Sequence, residues 1–113
     1  MSEDNRIKAL AELREEARKG FLDNYGLDMS EVETMIHGMD TEFGKALSKY
    51  LDAKMNLMMR QAFCTAIPLA HENYIKTYAL YKAVGIVMND LENIRQAYSD
   101  FVSELARLEK MNE

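Results

Sequence analysis

The chain has a single proline and five glycines, too little turn chemistry for a fold assembled from many short strands. Its one cysteine, Cys64, excludes an internal disulfide and suits a reducing compartment. A Gly-rich phosphate loop, CxxC, HExxH and DxD are all missing, so the motifs of the commonest phosphate, redox and metal chemistries are not present. No hydrophobic run is long enough to read as a membrane span. The most apolar stretch, residues 55–74, is interrupted by Arg60, Gln61, Pro68 and Glu72. The N-terminus is charged from Glu3 onward and does not read as a signal peptide.

What remains is a chain of 113 residues, 48% hydrophobic and 29% charged. That length suits one domain with a modest core, and that composition suits an ordered, soluble protein. A cytoplasmic protein is expected, or one packaged in a particle assembled inside the cell.

Periodicity dominates the rest. Ile7, Leu10, Leu13, Ala17 and Phe21 recur at steps of three and four with charges between them, which predicts a short amphipathic helix over about residues 4–20. Gly20 reads as its stop and DNYGLDMS as the following loop. Ser30 with Glu33 has the spacing of a capping box, so a second helix is expected over about 31–66. It carries Val32, Ile36, Met39, Phe43, Ala46, Tyr50, Ala53 and Leu57 in alternating steps of four and three. Gly38 offers an alternative, a break with Asp40 or Thr41 capping a new helix. The third segment, over about 69–111, repeats the alternation through Leu80, Val84, Val87, Leu91, Ile94, Tyr98, Phe101, Leu105 and Leu108. The stripe crosses Gly85 and the Asn89–Glu92 pair without losing register, which predicts one continuous helix.

A repeat of 3.5 residues implies left-handed supercoiling against neighbouring helices. Tyr81, Ala83, Met88, Ala97 and Val102 beside the third stripe widen the apolar face beyond a two-stranded seam, so a bundle is expected. Pro68 cannot continue a helix unbroken, and a hinge near it would fold the two long helices into a hairpin, with a kinked rod as the alternative. The fold class expected is therefore all-α: a long helical hairpin or coiled-coil-like bundle with a short N-terminal helix, in a single domain over residues 1–113.

Past Leu57 the sequence is apolar all round a helix, which calls for burial all round. The short first helix can cover only one side, so copies of the chain are expected to cover one another. The residues expected at that contact are Met55, Met58, Met59, Phe63 and Ile67, with Tyr74, Tyr78 and Tyr81. Nine methionines suit such a plastic interface, or a groove for another protein's helix.

The net charge of −5 is unevenly spread: −6 over residues 21–44, +4 over 45–89 and −3 over 90–113. A basic waist between acidic ends could order copies electrostatically. Basic residues among tyrosines also suit nucleic acid, but the acidic balance and the lack of an Arg cluster weigh against it. Glu33 and His37 have the spacing of two metal ligands on one helix face, and two ligands are not a site. Cys64 and His71 flank Pro68, in surroundings that favour an inert thiol. Neither a metal, a cofactor nor a catalytic residue is expected. The expectation is a non-enzymatic, homo-oligomeric helical assembly protein, such as an accessory part of a virion or other large complex. Its partner would be itself, with another protein as the alternative, and not a membrane. The main rival is a small acidic inhibitor or adaptor that docks helices on one protein; a nucleic-acid or nucleotide binder is third.

Overall fold

A computed structural model describes residues 2–63 and 71–111. Nearly all of them lie in four helices: α1 (Glu3–Tyr25), α2 (Met29–Met39), α3 (Glu42–Phe63) and α4 (His71–Lys110). No strand occurs among the described residues, and the fold is an all-α helical bundle with one long helix. Pro68, where the reversal was expected, lies outside the described residues.

Each helix starts and stops for local reasons. Ser2 is extended and its hydroxyl accepts the Asn5 N–H at 3.2 Å, while Glu3 and Asp4 suit the positive end of α1. The helix runs through Gly20 to Tyr25, so Gly20 is not the stop and α1 is not short. Gly26 is the stop: it is left-handed (φ 69°), which only a residue without Cβ adopts freely, and its N–H donates to the Leu22 carbonyl at 2.9 Å. The expected loop shrinks to Gly26–Asp28. The capping box also falls two residues earlier than Ser30 and Glu33. Asp28 Oδ1 accepts the Glu31 N–H at 2.8 Å, and Glu31 Oε1 accepts the Asp28 N–H at 3.1 Å.

The expected continuous helix over 31–66 is broken after Met39. The Thr41 hydroxyl donates to the Gly38 carbonyl at 2.6 Å and accepts the Gly44 N–H at 3.1 Å, closing α2 and opening α3. Propensity at Gly38 and the cap at Thr41 outweigh the apolar repeat, which crosses the break in register. Gly44 makes this corner possible. A Cβ there would run into the Gly38 carbonyl and lie 2.7 Å from Met39 Cα. Gly44→Ala should therefore cost about 1–3 kcal/mol, as overpacking does. Gly20→Ala, in mid-helix with nothing within 4 Å, should stabilise by up to about 1 kcal/mol. Urea unfolding of the two variants would check the opposite signs.

The chain divides into two compact units. The first joins the residues through His37 with those from Asn93 onward. Its core is Phe21, Val32 and Ile94, packed round by Ala17, Tyr25, Leu27, Met29, Met35, Ile36 and Tyr98. Val32 is completely buried. In this unit α1 runs antiparallel to the end of α4: Arg6 donates to the Glu109 carbonyl at 3.2 Å, while Phe21, fifteen residues on, packs with Ile94. On the surface Glu15 accepts from Arg18, and Glu104 from Arg107. These hydrogen bonds, with the arginine charge second among the lowering effects, hold both carboxyls below the ordinary range. Any stability these exposed pairs add is present at neutral pH and lost as pH falls through the lowered values.

The second unit, Gly38–Glu92, contains α3 and the first half of α4. The Met55 methyl lies 3.4 Å from where a Cβ on Gly85 would stand, so α3 and α4 fold back on one another here. Met58 is buried, and Leu51 and Met55 are half-buried.

Candidate interaction surface

The second unit buries little of its apolar surface. On α3 the inward line is Gly44, Leu51, Met55 and Met58. It lies about 130° round the helix from the stripe through Phe43, Ala46, Tyr50, Ala53 and Leu57, at 100° per residue. All five of those stripe residues are exposed, Phe43 at 76% and Tyr50 at 61%, and Leu47 is exposed beside them. Lys45, Lys49, Asp52 and Asn56 occupy the opposite face, where polar side chains are solvated. Thus α3 has two apolar faces and one polar face, and one apolar face is exposed, with no partner among the described residues.

The first half of α4 shows the same surplus. Its inward line is Thr77, Tyr81, Val84, Met88 and Leu91, each half-buried. Of the residues expected in the seam, Val84 and Leu91 lie on this line, but Leu80 and Val87 are 59% and 53% exposed. Tyr81 and Met88, expected beside the stripe, turn inward instead. From Ile94 on, the expected seam and the inward line coincide: Ile94 and Leu108 are buried, and Tyr98, Phe101 and Leu105 half-buried. Ile75 and Ile86 add further exposed apolar surface to the first half.

The residues expected at a contact between copies are spread over several environments. Met58 is buried, Met55 half-buried, and Met59 is 38% exposed on the side of α3 away from the Phe43–Leu57 stripe. Phe63 ends α3, and Ile67 lies outside the described residues. Tyr74 and Tyr78 are exposed and stack along α4 with ring centroids 6.3 Å apart, and the Lys82 ammonium sits 5.5 Å from the Tyr78 ring centroid. Tyr81 belongs to the inward line.

Phe43, Tyr50 and Leu57 are surface residues that sequence reasoning placed on a core stripe, and Leu47 beside them was not singled out. A signal was present: the second line on α3, with Leu51, Met55 and Met58 spaced by four and three, competes with the first for the core. Glycine at position 44 lets α3 approach closely on that second side.

The first unit carries two further surface features. An open groove of about 370 Å³ is lined by Arg14, Arg18, Met29, Glu33, Phe101 and Leu105, and both arginines already pair with acids, Arg14 with Glu109 and Arg18 with Glu15. Glu33 and His37 share a shallow recess with Ser30 and Thr34. Among the described residues no three His, Cys, Asp or Glu side chains cluster as metal ligands would, and no helix is long and apolar enough to cross a membrane. Cys64 lies outside the described residues, so the Cys64–His71 pairing does too. The sequence matches no family model, and neither a curated protein nor a solved structure is detectably similar to it.

Proposed function

We propose that the protein is a non-enzymatic helical assembly protein that associates with copies of itself through the second unit. The observation that carries this reading is the exposed apolar face of α3, with Phe43, Tyr50 and Leu57 at the surface, together with the exposed Leu80 and Val87 of α4. Scattered apolar residues are normal on a surface, but apolar side chains repeating along a helix form a contiguous patch, and large contiguous patches mark interaction sites.

The rival reading gives the same face to a different protein, making the chain an adaptor or inhibitor. The two differ in how stability depends on concentration. A self-assembling protein gains stability by mass action, so its thermal midpoint rises as the protein is concentrated. Over a hundredfold range of concentration the midpoint should climb by several degrees. A midpoint independent of concentration would favour the adaptor.

A further inference from the structure

We infer that the contact between copies is a two-fold, antiparallel pairing of α3 with α3, centred on Tyr50. This rests on the self-assembly reading above and adds the helix, the direction and the register. The exposed stripe is symmetric about its middle: Phe43 and Leu57 stand seven residues before and after Tyr50. In an antiparallel pair centred there, each Phe43 meets Leu57 of the second copy, and the Tyr50 rings meet near the axis. An isologous contact needs this kind of self-complementarity. Ala46 and Ala53, also exposed and symmetric about Tyr50 to within one residue, leave room for the helices to approach.

Charge agrees with this register. Glu42 and Arg60 lie on the same side of α3, five turns apart at 3.6 residues per turn. Antiparallel pairing about Tyr50 brings Glu42 level with Arg60 of the second copy to within about 3 Å along the axis, at 1.5 Å per residue, and does so twice. Parallel in-register pairing would leave Glu42 and its copy on opposite sides of the contact and would bring no Glu42–Arg60 pair together. Lys45, Lys49 and Asp52 lie towards the far face and do not enter the apolar contact. Aromatic side chains bury about 150–250 Å² each, so Phe43, Leu47, Tyr50 and Leu57 at their observed exposures offer on the order of 500 Å² per copy. Doubled, that reaches about 1,000 Å², the lower bound for a specific interface.

Disulfide trapping in a Cys64→Ser background tests the register, with the mass of the unmodified protein measured alongside. Positions 43 and 57 are about 21 Å apart along their own helix, so a disulfide between them has to join two chains. Phe43→Cys/Leu57→Cys and Tyr50→Cys should each form covalent dimers, and Phe43→Cys alone should not. Should the cysteines themselves weaken the contact, a charge exchange reads the same register. Glu42→Arg and Arg60→Glu should each weaken self-association on the order of tenfold, and the two together should restore it. Dimers from Phe43→Cys alone would overturn the antiparallel direction. A multimeric wild type with no trapping and no charge-exchange rescue would overturn the α3 pairing and leave self-assembly standing. A monomeric wild type would remove both.

Discussion

Replacing Ile94 by glutamate should unfold the first unit, whereas Val87→Glu, one heptad earlier on the same helix, should leave the helix content intact. Both residues belong to one unbroken 3.5-residue repeat, and by sequence alone they are equivalent. In the fold Ile94 is 3% exposed against Phe21 and Val32, while Val87 is 53% exposed. Removing Ile94 forfeits about 1.5–3 kcal/mol of apolar burial. An unpaired carboxylate in its place adds several kcal/mol more. A domain has only about 5–15 kcal/mol to lose, so the cooperative transition should disappear or fall by tens of degrees. Far-ultraviolet circular dichroism with thermal melting distinguishes the two variants. Equal unfolding by both would mean that the inward line of α4 passes through Val87 after all.

The second large effect separates three positions on different faces of α3. Met58 is buried at 4%, so Met58→Glu should disrupt the packing of α3 on α4 and lower both helix content and stability. Tyr50→Glu, on the exposed stripe, should keep the helices and abolish assembly, because a charge would stand near a two-fold axis opposite its own copy. Met59→Glu, on the far side of α3 from that stripe, should do neither. Circular dichroism and size-exclusion chromatography on the three proteins give the pattern directly. Loss of assembly in Met59→Glu with Tyr50→Glu unaffected would move the interface to the opposite face of the helix.

These contrasts mark where the sequence was legible. The all-α class and the continuity of α4 followed from long apolar repeats that survive local signals, as at Gly85. From Ile94 to Leu108 the apolar repeat and the inward line of α4 coincide. Caps were less legible because the candidates compete at close range. Gly20 and Gly26 both suit a stop, and Asp28/Glu31 and Ser30/Glu33 are both box spacings. The left-handed turn went to Gly26, where Leu27 and Met29 could pack against the Phe21–Val32–Ile94 core.

The face of α3 was the least legible feature. Two lines of apolar residues share that helix, both at steps of three, four or seven. Periodicity counts them without saying which one meets α4. Packing chose the line with Gly44 and the slender Leu51, Met55 and Met58, and left the bulkier aromatics of the other line outside. Helix α1 spends its own apolar face on α2 and the end of α4, within the first unit.

The molar mass of the wild-type protein in solution, measured by light scattering across a range of concentrations, bears most directly on self-assembly. One chain weighs 13.0 kDa. A mass at a defined multiple of that value, falling to a single chain in Tyr50→Glu with the helix signal retained, is the expected result. A wild type that stays at 13.0 kDa at every concentration would contradict it.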